Sequence, residues 1–278
     1  MTTAAAYRVS TITATACVGR GVSVDLDRFF AGLSPDPPPS ADAPDAGMYA
    51  TYAEHCSKRA PEPRCKGVQR RHPRRRAAVR CFSNQVTVVV TWVPPTDAPP
   101  FVVNVKCFQN GNVQMTGLRE ISQGPRVVGR IAELMLGADA VADPSCVAPC
   151  DYRVRLINSD FRLGCAVRRD VLHRVVRAQY GVRASFEPCI YPGVKIQYFW
   201  SPGPLADGRC RCAVPCNGKG ADETTGFCKK VTVSVFQSGC VIVTGAQSYE
   251  QVDAARAFIT RVLEEHTADV CKGPHSGG

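Results

Sequence analysis

The sequence predicts an α+β fold assembled from two related halves, each an antiparallel sheet with helices packed on one side. Three observations predict it. The first is a repeated motif: Phe108-Gln-Asn-Gly-Asn-Val-Gln-Met-Thr-Gly117 and Phe236-Gln-Ser-Gly-Cys-Val-Ile-Val-Thr-Gly245 agree at Phe, Gln, Gly, Val, Thr and Gly. The second is the pair of β-branched runs leading into each motif, whose residues sort by parity into an apolar and a more polar face, as in a half-buried sheet. The third is a helical spacing after each motif, in which Ile131, Leu134 and Met135 answer to Ile259, Val262 and Leu263. A duplicated unit folds into two similar halves about a pseudo-twofold axis, a form suited to a partner of near-twofold symmetry such as duplex DNA.

An earlier segment repeats as well: Tyr7-Arg-Val9 returns as Tyr152-Arg-Val154, and Gly19, Val22 and Asp25 return as Gly164, Val167 and Asp170. Its separation differs from that of the motif pair, so the halves contain unequal insertions. In the first half, Val9 to Val18 reads as a strand and Asp25 to Leu33 as a short helix. From Pro35 to Arg76 the Pro-, Ala-, Asp- and Arg-rich composition predicts a mobile insertion, partly ordered near Tyr49 to Cys65. Order resumes at Val79 with strands Gln85 to Trp92 and Phe101 to Cys107, a hairpin turn at Asn110-Gly111 and a helix from Ile121 to Leu136.

The cycle then restarts: strand Tyr152 to Leu163, helix Arg168 to Tyr180, and an extended run into Phe186-Glu-Pro-Cys-Ile-Tyr-Pro-Gly193. A second insertion, Ser201 to Phe227, precedes strand Lys229 to Phe236, a turn at Ser238-Gly239, strand Cys240 to Thr244 and helix Tyr249 to Glu265. The expected organisation is thus a first repeat over 7–137 with an insertion at 35–77, a linker at 138–150, a second repeat over 151–266 with a Cys-rich insertion at 201–228, and a flexible tail at 267–278.

With 278 residues, 45% of them hydrophobic, the chain has ample material for a core. No apolar run approaches the roughly 20 residues of a membrane span, and the start lacks the pattern of a secretory signal. The expected location is the cytosolic or nuclear side, where the 15 cysteines serve as buried thiols or metal ligands rather than disulfides. A net charge of +10 favours a polyanionic partner, although it also serves solubility. Much of the excess lies in Arg70-Arg-His-Pro-Arg-Arg-Arg76 and Arg80, a Pro-broken run that reads as a flexible basic arm, a solvated loop or a nuclear-import signal. No Ser-His-Asp or Cys-His set, phosphate loop or paired carboxylates is forced together, so no enzyme activity is expected.

Sorting the strands by parity separates two faces. Val103, Val105, Cys107, Val113 and Met115 in the first half, and Val231, Val233, Val235, Val241 and Val243 in the second, belong under the helices. The opposite face carries Asn104, Lys106, Phe108, Gln114 and Thr116 in the first half, and Thr232, Ser234, Phe236, Ile242 and Thr244 in the second. A Phe ending a solvent-facing strand usually means partial cover by a loop. Two at equivalent ends suit wedges entering base steps of a duplex, or stacking platforms for a single strand.

Cys210, Cys212, Cys216 and Cys228 place four thiols in a Gly-rich loop too poor in apolar residues for its own core. Four thiolates match a closed, tetrahedral structural zinc; the alternative is a flexible loop with free thiols. His55, Cys56, Cys65 and His72 form a second, irregularly spaced candidate set in the first insertion.

These motifs resemble the TATA-box-binding protein family, whose repeats each carry a Phe-x-Ser-Gly-x-x-x-x-Thr-Gly element, the second with a preceding Tyr-Glu-Pro-x-x-Phe-Pro-Gly. Here they stand at Phe108 to Gly117, Phe236 to Gly245 and Phe186 to Gly193, and the Val-Gln-Met-Thr-Gly phrasing is similar to the divergent form of large nucleocytoplasmic DNA viruses. The resemblance implies a saddle: a curved antiparallel sheet whose concave face sits on the minor groove, with helices on the convex face meeting other transcription factors. The family's four intercalating phenylalanines then fall at Phe108, Phe236, Tyr191 and Phe82, its base-contacting threonines at Thr116 and Thr244, and an apolar groove contact at Ile242 opposite Gln114. Lys106 and Ser234 join the groove-lining set, and the family's two central asparagines meet Thr11 and Leu156, with Asn158 two residues on. This more polar floor implies altered or relaxed sequence choice.

The implied function is a DNA-binding transcription initiation factor that kinks promoter DNA and recruits general transcription factors or a viral RNA polymerase. An architectural or packaging protein without promoter choice, and a protein-interaction module that has lost DNA binding, are the competing expectations. The implied state is a monomer on DNA, dimeric at most without it, with no membrane partner, and the implied location is the host nucleus, a cytoplasmic viral factory or the virion.

Overall fold

The computed structural model describes residues 7–37, 46–56, 62, 64–67, 82–203, 207–220 and 225–272. The basic arm at 70–76, Arg80 and His72 lie outside them. The chain forms two compact units: residues 12–154, and residues up to Thr11 together with those from Arg155 on.

The first unit contains most of β1 (Arg8–Cys17), then α1 (Leu26–Gly32), β2 (Gly47–His55), β3 (Arg64–Gly67), β4 (Gln85–Val93), β5 (Phe101–Phe108), β6 (Asn112–Leu118) and α2 (Gln123–Gly137). Its strands are ordered β3-β2-β4-β5-β6-β1, with every neighbouring pair antiparallel. The second unit takes most of β7 (Cys150–Arg162), β8 (Ala166–Val167), α3 (Arg169–Ala178), β9 (Arg183–Ser185), β10 (Val194–Trp200), β11 (Lys229–Val235), β12 (Cys240–Ala246), α4 (Tyr249–Glu265), α5 (Thr267–Val270) and β13 (Cys271–Lys272). Its main sheet runs β7-β12-β11-β10-β9.

The units share a plan of strand, helix, four antiparallel strands and long helix, to which the first adds β3 as an edge strand beside β2. In that plan β2 occupies the place that β9 holds in the second unit, so the partial order expected near Tyr49 to Cys65 is a sheet strand over residues 47–55 with β3 beside it. The sequence hid this because the strand is bulged: its pairing with β4 shifts between Ala50 and Tyr52. One extra residue switches the parity of everything after it and erases the alternation that marks a strand. The domain boundary also differs from the expected one, because the start of β1 is held within the second unit. There Arg8 pairs with Asp160 at 3.0 Å and the Ser10 hydroxyl donates to the Asn158 carbonyl at 3.0 Å.

Local chemistry repeats with the topology. In each motif the turn closes identically, the Gly111 N–H donating to the Phe108 carbonyl and the Gly239 N–H to the Phe236 carbonyl, both at 3.0 Å. Ahead of each long helix a Gln reaches back to satisfy free backbone donors. The Gln123 amide oxygen accepts from Arg119 and Glu120 N–H at 2.9 and 3.1 Å, and that of Gln251 accepts from Gln247 N–H at 2.7 Å. At α4 the bond is reciprocal, since the Ser248 hydroxyl accepts from the Gln251 N–H at 3.3 Å, whereas Ser122 makes no such bond at α2. Beneath the helices, Val103, Val105, Cys107, Val127, Ile131 and Met135 in one core, and Val231, Val233, Val241, Ile259 and Val262 in the other, are fully buried.

The glycine that closes the first motif is required by both conformation and space. Gly117 sits at φ +114°, and a Cβ there would lie 2.3 Å from the Val102 carbonyl oxygen. Gly117→Ala is expected to destabilise the first unit by about 3 kcal/mol, read as a lowered midpoint in denaturant unfolding; an unchanged midpoint refutes the account.

The C-terminal segment is ordered through Lys272, where a flexible tail was expected. α5 leads into β13, which pairs with β8. Cys165 and Cys271 form a disulfide with a Cα–Cα distance of 5.7 Å, so the expectation of thiols without disulfides is corrected here. The spacing of 106 positions between them gave no sequence signal of pairing. Among the described residues no helix is long and apolar enough to cross a membrane.

Candidate nucleic-acid interface

The face away from the helices is built from rows of side chains fixed by strand register. In the first unit one row runs Thr15–Gln114–Lys106–Thr87 and the next Thr13–Thr116–Asn104–Val89. The Thr13 and Thr116 hydroxyls lie 3.3 Å apart, and Gln114, Lys106 and Asn104 are exposed. In the second unit the corresponding rows contain Asp160–Ile242–Ser234–Lys195 and Thr244–Thr232–Gln197. Ile242 and Thr244 are half-buried, whereas Ser234 is buried, so it lines this face less than its parity suggested. Asn158 lies on the same face of β7; its Oδ1 and the Thr11 Oγ1 are buried without a hydrogen-bond partner among the described residues.

Aromatic groups stand at the ends of these rows. Phe236 follows β11, and its ring centroid is 5.7 Å from that of Tyr191, the planes inclined at 58°. The Lys195 ammonium lies 4.1 Å from the Tyr191 ring centre. Gly193 lets the two rings meet: a Cβ there would come within 2.9 Å of Tyr191 and 3.2 Å of Phe236. In the first unit Phe108 is half-buried at the end of β5, and Phe82 is 62% exposed just ahead of β4. No ring contact joins Phe82 to Phe108 among the described residues.

The register also reveals a residue that the sequence reading missed. Val86 pairs with Cys107 and Val194 with Val235, and these are equivalent pairs by the repeated motif. Counting back, Phe82 corresponds to Ile190 and not to Tyr191. Ile190 is 79% exposed, the outermost large apolar side chain of this loop. Its signal was present in Glu-Pro-Cys-Ile-Tyr-Pro-Gly, since an apolar residue beside an aromatic at a loop tip has no core to enter.

The second cluster is in the Cys-rich loop. The four Sγ atoms of Cys210, Cys212, Cys216 and Cys228 all lie within 4.8 Å of one another, and those of Cys212 and Cys228 are 3.4 Å apart. A tetrahedron of sulfurs about zinc has edges of roughly 3.8 Å, so the donor set fits that ion. Donation from the Cys228 backbone N–H lowers the Cys212 thiol to about 7, whereas burial raises Cys228 to about 12. The Gly218 N–H also points at the Cys216 sulfur, at 3.4 Å. Hydrogen bonds from Phe199 N–H to the Gly208 carbonyl and from Lys230 N–H to the Gly218 carbonyl, at 2.9 and 2.8 Å, anchor the loop to β10 and β11.

Of the other candidate set, His72 lies outside the described residues, and among those described His55, Cys56 and Cys65 form no group that could hold a metal. The His55 Nδ1 lies 2.9 Å from the Gln85 carbonyl and its Nε2 3.3 Å from Asp27, while Cys65 meets the Tyr52 hydroxyl at 3.0 Å.

Two units of one plan, each a strand-helix start followed by an antiparallel run and a long helix, define the TATA-binding-protein fold. The chain matches the structure of Methanococcus jannaschii TBP with a TM-score of 0.51 at 16% identity, over 94% of this chain and 99% of that one. The profile of the family described as transcription factor TFIID (or TATA-binding protein, TBP) matches residues 221–266, which hold β11, β12 and α4. A TATA-box-binding protein-like protein of Acanthamoeba polyphaga mimivirus is 26% identical over 204 residues, 69% of this chain and 51% of that protein. The match thus spans about half the length of that relative. The chain resembles the TATA-box-binding protein family, in a divergent viral form.

Proposed function

We propose that the protein is a transcription initiation factor that binds duplex DNA in the minor groove and kinks it with aromatic wedges. The observation that carries this reading is the Tyr191–Phe236 ring pair at the end of a polar, solvent-facing strand row, with Phe108 at the equivalent end of the other unit. Apolar side chains that unstack base steps bend a duplex so that more of it meets the protein. Thr116, Thr244, Gln114, Ile242, Lys106 and Asn158 would then face the groove floor, with Phe82 and Tyr191 completing the wedge set.

On this reading the two repeats, 7–137 and 151–266, form a saddle, and α2 and α4 offer the convex surface to general transcription factors or a viral RNA polymerase. The protein works without catalysis, as a monomer on DNA, in the host nucleus or a viral factory. The Cys-rich loop holds one structural zinc through Cys210, Cys212, Cys216 and Cys228, a staple for a loop that lacks a core of its own. The net charge of +10 supports a second reading, a packaging protein without promoter choice.

Fluorescence polarisation with A·T-rich, G·C-rich and random duplexes at two salt concentrations tests both. Sequence-selective binding supports promoter recognition. Binding that falls steeply with salt and ignores sequence supports packaging. Absence of binding to any duplex at low salt refutes both.

A further inference from the structure

The two units carry different chemistry at equivalent positions of this face. The repeated motif sets Gln114 against Ile242, Lys106 against Ser234 and Asn104 against Thr232. In the first unit Gln114 lies between Thr15 and Lys106 across the strands, and Thr116 between Thr13 and Asn104. The amide and ammonium groups there are exposed. In the second unit Ile242 lies between Asp160 and Ser234, half-buried beside a buried hydroxyl. The Asp160 carboxylate already accepts from the Arg8 guanidinium at 3.0 and 3.2 Å, so the centre of that row is aliphatic.

In the minor groove an A·T pair shows only acceptors, whereas a G·C pair adds the guanine amino donor. The amide oxygen of Gln114 accepts from that amino group, and its NH2 and the Lys106 ammonium donate to the acceptors of either pair. Ile242 offers the amino group nothing, so a guanine covered by it loses its water without a replacement partner, which disfavours G·C there. Building on the reading of these faces as DNA-contacting, we infer that the protein reads a bipartite element: the first unit accepts A·T or G·C, and the second requires A·T. Gln114 and Ile242 are the specificity-determining pair. A site of this kind has a direction, because the protein turns to place its first unit on the half that contains G·C.

Three duplexes of equal length test this: A·T throughout, G·C in one half, and G·C in both. The protein should bind the first two within about threefold of each other, and the third about tenfold more weakly. Gln114→Ile should lower the half-substituted duplex to about tenfold below the A·T duplex, the level at which the parent protein binds the fully substituted one. Ile242→Gln should raise the fully substituted duplex to within about threefold of the A·T duplex. Neither side chain belongs to the fully buried core, and circular dichroism of both variants checks that they fold. If G·C in one half costs half of the logarithmic loss seen with both, or if the variants leave the ranking unchanged while the A·T duplex still binds tightly, this inference fails and the DNA reading stands. If no duplex binds, the reading beneath it fails and takes this one with it.

Discussion

Phe108→Ala/Phe236→Ala is expected to weaken binding to the preferred duplex by at least about 100-fold while leaving thermal stability close to that of the parent. Each ring is a desolvated aromatic anchor once inserted, and truncating such an anchor costs about 2 kcal/mol or more. Stability should change little because both rings are only half-buried in the free protein and end their strands outside the valine-rich cores. The measurement is a polarisation titration beside a melting curve, together with a DNA-bending readout from end-labelled duplexes. Wedge-driven recognition predicts that affinity and bend fall together. Binding that persists with the bend abolished would leave the phosphate contacts as the main source of affinity and favour packaging. Binding and bend both unchanged would remove these phenylalanines from the interface.

The second large effect concerns the Cys-rich loop. The purified protein is expected to carry one zinc per chain, and its removal, or Cys228→Ser, should cost the second unit about 3 kcal/mol. In a domain of this size that lowers the melting temperature by roughly 5 °C or more. The loop is tied to β10 and β11 through Gly208 and Gly218, so its release withdraws support from the sheet, and the β10–β11 amides should exchange faster with solvent. Because thiolates are the ligands, acid competes with the metal, and zinc should be lost as the pH falls. Metal analysis finding no zinc, or identical melting with and without a chelator, would return the loop to a set of free thiols.

The halves differ in how legible they were. α4 was readable to the residue, since Tyr249–Glu265 combines a Ser cap with a helical stripe. The strand β5 was equally plain, because it is half-buried and its alternation is unbroken, and β6, β11 and β12 followed from the repeated motif that they flank or contain. β2 was not, since the shift at Ala50 and Tyr52 moves its side chains out of register with any period of two. The segment from Thr267 to Lys272 failed for a different reason. Its order comes from pairing with β8 and from the Cys165–Cys271 bond, partners far away in the chain.

The candidate site divides along the same line. Repetition alone located Phe108, Phe236, Thr116, Thr244 and the contrast between Gln114 and Ile242, because a motif stated twice assigns equivalent positions without any coordinates. Four cysteines in a loop without a core likewise announced the cluster that the structure brings together. What tertiary structure decided was which groups meet: that Tyr191 packs on Phe236, that Ile190 rather than Tyr191 answers to Phe82, that Ser234 is covered, and that Arg8 engages Asp160. Sequence determined these local matters because periodicity and caps are properties of neighbouring residues. It could not determine the rest because cross-strand register, bulges and long-range pairing depend on which distant segments share a sheet, and a one-residue shift reassigns every contact.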